Sequence, residues 1–243
     1  QVNDVTNYNT ILCDGEFTPV YSFTTANTDG LTSFNWTNNN VAIGLAASGE
    51  GGIPSFQVTN LTQSTISATI TVTPSYENNG IICYGNAETF TIVVNPSPEM
   101  DNIDDIVLCN NEISTIIEFT TPNTDGNTTY TWTNDNTSIG LSSSGNGDIP
   151  SFTAINLNPI TEVATITVTP TYENNGVVCI GDPQTFSISV LSEIGISGST
   201  VDALDCNDPN SGNINITVTG GSGVYDFLWS NGAIIEDLNN LGP

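Results

Sequence analysis

Apolar and polar residues alternate along much of this chain with a period of two. Ala68, Ile70 and Val72 are interleaved with Thr69, Thr71 and Thr73, and Thr89 to Val94 places Phe90, Ile92 and Val94 on one face. Alternation of this kind is the signature of a strand with one buried face. Val20 to Thr25, Ser33 to Thr37 and Ser55 to Thr59 read as further strands. Asn-Thr-Asp-Gly, Asn-Asn-Asn and Glu-Asn-Asn-Gly stand between them, and Asn and Gly tolerate the positive φ that tight turns demand. No segment carries the 3.6-residue apolar period of an amphipathic helix.

The pattern then repeats. Shifting the chain by 96 positions aligns it with itself without a gap from Cys13 to Val94, with about half of the positions identical. Cys13 falls on Cys109, Trp36 on Trp132, Pro54 on Pro150, Pro74 on Pro170, Cys83 on Cys179 and Phe90 on Phe186. Two copies of one domain, each of about seven short strands, predict tandem immunoglobulin-like β-sandwiches. The expected boundaries are 1–97 for the first repeat and 98–191 for the second, with a partial third β-module over 192–243.

Cys13 and Cys83 are separated by the same interval as Cys109 and Cys179. One bridge inside each repeat is the economical expectation, worth about 4 kcal/mol on the chain-entropy model; buried free thiols are the alternative. Cys206 is left without a partner. Trp36 and Trp132 have polar flanks, as a sugar-stacking platform would, but recurrence at one position in both copies favours a core role.

Composition narrows the functional classes. There are 26 acidic residues and no Lys, Arg or His, for a net charge of −26. Nucleic-acid binding by phosphate neutralisation has no cations to work with, and anionic membrane surfaces repel such a chain. No stretch approaches the roughly 20 apolar residues that span a bilayer, and no signal peptide is recognisable at Gln1. Five cysteines point to an oxidising compartment. Without His or Lys, a Ser or Cys nucleophile lacks its usual base. The recurrent acids Glu16/Glu112, Asp29/Asp125 and Glu77/Glu173 fall in or beside turns, so no enzymatic activity is expected.

After Val190 the pattern changes. Gly212-Asn213-Ile214-Asn215-Ile216-Thr217-Val218-Thr219-Gly220-Gly221 leads into Tyr225-Asp226-Phe227-Leu228-Trp229-Ser230-Asn231-Gly232 and a leucine-containing turn ending at Leu241. This reads as strand, glycine turn, strand, turn, with Ile214, Ile216 and Val218 on one buried face. The run resembles the SprB-type repeat of large adhesins of gliding Bacteroidetes. That repeat continues beyond the point where this sequence stops, so a longer polypeptide is expected, with the partner of Cys206 further on.

The 96-residue copies are similar to the PKD-like domains that accompany such repeats, through Thr131 to Thr133, Ile139 to Leu141, Ile149 to Thr153, Ala164 to Pro170 and Cys179 to Gly181. The resemblance implies a non-catalytic stalk of a cell-surface adhesin, exported by type IX secretion and displayed outside the bacterium, with a role in adhesion or gliding. Its implied partners are neighbouring repeats of the same chain and, through other parts of the adhesin, an external surface, a polysaccharide or another cell. A carbohydrate-binding accessory module and a subunit of an extracellular filament are the alternatives. Calcium is the candidate cofactor, because Glu99, Asp101, Asp104 and Asp105 crowd within seven residues beside Pro96 and Pro98, and hard cations take carboxylate oxygens. Solvated surface carboxylates are the competing reading.

Overall fold

The structure, a computed structural model, describes residues 2–202 and 210–242. Cys206, with Asp205 and Asp208, lies outside the described residues. The fold is all-β, with no α-helix among the described residues and two sheets of six and eight strands. The chain divides into two compact units. One comprises Gln1–Asp101, Phe119–Tyr130 and Thr169–Pro183; the other comprises Asn102–Glu118, Thr131–Val168 and Gln184–Pro243.

The first repeat supplies the six-stranded sheet: β1 (Thr10–Cys13), β2 (Leu31–Asn38), β3 (Ser48–Glu50), β4 (Ile66–Asn78), β5 (Ile81–Tyr84) and β6 (Glu88–Asn95). Its order is β1-β6-β4-β2-β3, with β5 folded back onto β4. Strand β1 lies parallel to β6 and places Cys13 beside Asn95, while β4 and β6 are antiparallel with Ile66 opposite Val94. Ala68, Ile70, Val72, Phe90, Ile92 and Val94, predicted from the alternation to share a buried face, are all fully or almost fully buried. The turn between β4 and β5 is made by Asn79 and Gly80, both at positive φ, as the Glu-Asn-Asn-Gly signal requires.

The second layer departs from expectation. Val20 to Thr25 and Ser55 to Thr59 are not regular strands but extended segments held by single bridges, Tyr21 to Ile53 and Phe17 to Gln57. Pro19 and Pro54 immediately precede these segments, between the bridged positions, and have no N–H to give to a ladder, so pairing cannot propagate through them. The layer still closes the core: Tyr21, Ile53 and Val58 are fully buried against the sheet, joined by Ile43 and Trp36.

The eight-stranded sheet is formed by β7 (Ile106–Cys109), β8 (Asn127–Asn134), β9 (Ser144–Asn146), β10 (Glu162–Asn174), β11 (Val177–Ile180), β12 (Gln184–Val201), β13 (Gly212–Gly221) and β14 (Leu238–Leu241). Its order is β14-β13-β12-β10-β8-β9, with β11 on β10 and β7 on β12. Strands β7 to β12 repeat the plan of β1 to β6, including the parallel pairing that sets Cys109 beside Leu191. Strand β12 runs on past the repeat and pairs with β13 of the third module. There Ile214, Ile216 and Val218 alternate with exposed residues as predicted, although they are half-buried rather than buried. The expected strand at Tyr225 to Trp229 does not form: Trp229 and Ala233 close a turn, and the Trp229 indole N–H donates to the carbonyl of Ile235 at 2.7 Å.

Two devices recur in both copies. Asn60 is buried and donates through its side-chain amide to the carbonyls of Ser64 and Val94, at 2.8 and 2.9 Å. Asn156 does the same toward Ile160 and Val190, each at 2.8 Å. Each thus ties a loop to the last strand of its repeat and satisfies carbonyls that burial would otherwise leave unpaired. Trp36 and Trp132 are paired across the sheet with Gly49 and Gly145, and a Cβ on either glycine would stand 2.2 or 2.3 Å from the indole. The rings therefore lie flat on glycine inside the core, which answers the choice between core residue and sugar platform in favour of the core.

Candidate functional site

The chemistry-bearing residues that recur in this chain are the cysteines, and the structure corrects their pairing. Cys13 is bonded to Cys179, with Cα atoms 5.6 Å apart and a sequence separation of 166, while Cys83 and Cys109 are free and exposed. The expected bridges Cys13–Cys83 and Cys109–Cys179 do not form. The reason is strand length. Cys13 sits where β4 begins, beside Asn95 and next to the Ile66–Val94 pair, whereas Cys83 pairs with Tyr76. Ten residues of β4 separate those points, about 33 Å at the rise of a strand, and a disulfide needs Cα atoms within about 7 Å. Strand β10 has the same register, with Glu162 opposite Val190 and Tyr172 opposite Cys179. Each repeat therefore carries its two cysteines at opposite ends.

The residues around Cys179 form a socket for the end of the first repeat, and all of them belong to the first compact unit. The Asn123 amide donates to the Ser97 carbonyl at 3.0 Å and to Gln63 Oε1 at 3.2 Å, while Asn123 Oδ1 accepts from the backbone N–H of Glu99 at 2.7 Å. The backbone N–H of Thr124 donates to the Gln63 carbonyl at 2.8 Å. The Asn174 amide donates to Thr65 Oγ1 at 2.7 Å, and the Tyr172 hydroxyl lies 3.1 Å from the same oxygen. Gly181 lies so close to Pro98 that a Cβ would be 2.3 Å from its carbonyl oxygen. Tyr172 and Cys179 are buried as a result. This junction is knit by neutral hydrogen bonds, one covalent bond and close backbone approach, as suits a chain with no cationic side chain.

The recurrent acids act locally. Glu16 accepts the backbone N–H of Cys13 at 2.8 Å, and Glu112 that of Cys109 at 2.7 Å, so each closes the turn after its cysteine strand. Three of the four proposed calcium ligands each accept from a different donor. Glu99 accepts from the Gln63 amide at 3.0 Å, Asp101 from the Thr120 hydroxyl at 2.6 Å, and Asp105 from the backbone N–H of Ser187 at 2.7 Å. That Ser187 bond holds the Asp105 carboxyl below its usual value. Among the described residues no group of three His, Cys, Asp or Glu side chains is placed to hold a metal ion, so the structure does not assemble Glu99, Asp101, Asp104 and Asp105 into a calcium site.

Comparison with known proteins finds one matching family model and several similar solved structures. The sequence model of the SprB repeat matches residues 198–234, which overlaps the run from Gly212 to Leu241 that carries the resemblance. No curated protein sequence matches the chain. Similar solved structures include mouse cadherin-23 EC22-24, at 11% identity and a TM-score of 0.42 over 100% of this chain and 89% of that one. The human desmocollin-1 ectodomain is similar at 10% identity and a TM-score of 0.28, over 90% of this chain and 46% of its own. The insect immune protein hemolin is similar at 13% and 0.24, over 96% and 68%.

Proposed function

We propose that this chain is a stretch of a non-catalytic stalk in a large secreted bacterial surface adhesin. Its modules are PKD-like repeats at 1–97 and 98–191, followed by an SprB-type module at 192–243. The observation that carries this reading is the Cys13–Cys179 bond. It closes 166 residues into one covalent loop, so tension entering before Cys13 and leaving after Cys179 passes through a sulfur–sulfur bond rather than through the strand ladders between them. Such a bond persists in an oxidising, extracellular setting. The SprB match at 198–234 supports a surface role, and a charge of −26 with no basic group keeps long exposed modules soluble and apart. Export by type IX secretion and a part in gliding belong to the same proposal. Contact with an external surface, a polysaccharide or another cell is assigned to other parts of the adhesin.

The test is where the chain is found and what it holds. Antibodies raised against it are expected to label intact source cells, and the purified chain is expected to give no saturable binding on a glycan array. Labelling only after permeabilisation would overturn the surface role. Saturable glycan binding would favour a carbohydrate-binding module instead.

A further inference from the structure

The socket that the first repeat fills has a twin. The 96-residue shift carries Asn123, Thr124, Tyr172, Asn174, Cys179 and Gly181 onto Asn27, Thr28, Tyr76, Asn78, Cys83 and Gly85. The twin is built in the same way. Tyr76 stands over Gly30 as Tyr172 stands over Gly126, and a Cβ on those glycines would be 2.7 and 2.3 Å from the respective rings. The Asn78 amide donates to the Tyr76 hydroxyl at 3.3 Å, as the Asn174 amide does to the Tyr172 hydroxyl at 3.4 Å. Cys83 pairs with Tyr76 at the register at which Cys179 pairs with Tyr172. The surroundings differ. Asn27, Asn78 and Cys83 are exposed and line or flank an open polar groove of about 570 Å³, whereas Cys179 and Tyr172 are buried beneath the end of the first repeat.

We infer that the Tyr76–Cys83 groove is a docking socket for the Cys13-type end of a further copy of this repeat placed ahead of it in tandem, locked by a disulfide from that copy to Cys83. The occupant is defined by what fills the twin: an Asn-Pro-Ser-Pro linker, the Gln63 and Thr65 loop, and a thiol at the end of a strand parallel to β6. The groove is lined by polar groups with one carboxylate, Asp29, and Asn27, Thr28 and Tyr76 present the amide and hydroxyl groups that match an end offering carbonyls, an amide and a hydroxyl. In forming the bond the two thiols give up two protons and two electrons, and a small-molecule disulfide such as oxidised glutathione takes them and becomes two thiols. The inference concerns how repeats join and does not depend on where the assembled chain is displayed.

The test uses the full chain with one repeat added in front, residues 1–99 joined to residue 4 of the intact sequence. The added copy carries Cys83→Ser, so that it cannot bridge internally, and Ile11→Val, so that its Cys13 peptide differs in mass. Cleavage after glutamate puts every cysteine on its own peptide, because Glu16, Glu77, Glu88, Glu99, Glu112, Glu173 and Glu193 fall between them. After refolding with oxidised glutathione and alkylation of free thiols, mass spectrometry is expected to find the marked Cys13 peptide joined to the unmarked Cys83 peptide. The unmarked Cys13–Cys179 pair in the same digest reports that the native junction has formed. Recovery of the marked peptide as an alkylated thiol beside an intact Cys13–Cys179 pair would overturn the inference, as would its attachment to any other cysteine. Loss of the Cys13–Cys179 pair would remove the template and overturn it as well.

Discussion

Replacing both bonded cysteines, Cys13→Ser with Cys179→Ser, removes the one covalent tie at the junction and leaves every strand in place. A loop of 166 residues gives about 5 kcal/mol of unfolded-state entropy on the chain-closure relation. The figure depends little on how unfolding proceeds. If one repeat opens while the other holds, the released loop is roughly halved and the stabilisation falls by only about 0.6 kcal/mol. With a urea slope of about 2 kcal/mol per molar for a small domain, the unfolding midpoint should fall by about 2.5 M. Trp36 and Trp132 are buried in the two cores and report both transitions by fluorescence. Adding a reductant to the native chain should reproduce the shift, and the reductant should do nothing to the double variant. A control with Cys83→Ser and Cys109→Ser keeps the bond and should unfold where the native chain does. If that control loses as much stability as the first variant, or if reduction leaves the native midpoint unmoved, the pairing argued here is wrong.

Other consequences are independent of that bond. Asn60→Ala and Asn156→Ala each strip hydrogen bonds from two carbonyls, so each should cost about 2–4 kcal/mol in the transition of its own repeat, measured by urea titration. Gly145→Ala drives a methyl to within 2.3 Å of the Trp132 ring. Overpacking should destabilise the second repeat by about 1–3 kcal/mol and blue- or red-shift its tryptophan emission, whereas a silent substitution would contradict the buried stacking. Tyr21 is buried, and that burial raises its phenol above the usual value against a smaller opposing effect of the Thr10 hydroxyl. The folded state thus holds this proton more tightly than the unfolded chain, so its contribution is whole below about pH 10 and is lost as pH rises toward the folded value. Alkaline titration of thermal unfolding should show the loss, and Tyr21→Phe should diminish it.

The sequence revealed the repeat, the strand period and the buried faces because alternation with period two admits only one orientation of Ile70, Val72, Phe90 and Ile92 toward a core. It did not reveal that the outer layer is bridged rather than laddered, although Pro19 and Pro54 were the signal. The cysteine pairing was hidden by the repeat itself. Spacing treats a bond within one copy and a bond to the next copy as equivalent choices, and only the ten-residue run along β4 between the Cys13 and Cys83 ends separates them. The glutamates that follow Cys13 and Cys109 by three residues fall at turns as the sequence indicates, but their bonds back to the cysteine N–H groups become visible only in the structure. The acidic cluster at residues 99–105 suggested a cation site because composition cannot show that Glu99, Asp101 and Asp105 each accept from a separate donor.

The most direct measurement is to stretch the single chain by its two ends, oxidised and then reduced. With Cys13 bonded to Cys179, the span between them, a sequence separation of 166, is sheltered from the load, and reduction should release about 560 Å of additional contour length at about 3.4 Å per residue. Two separate gains of about 240 Å, the lengths that bridges within each repeat would hide, would contradict the account, as would no gain at all.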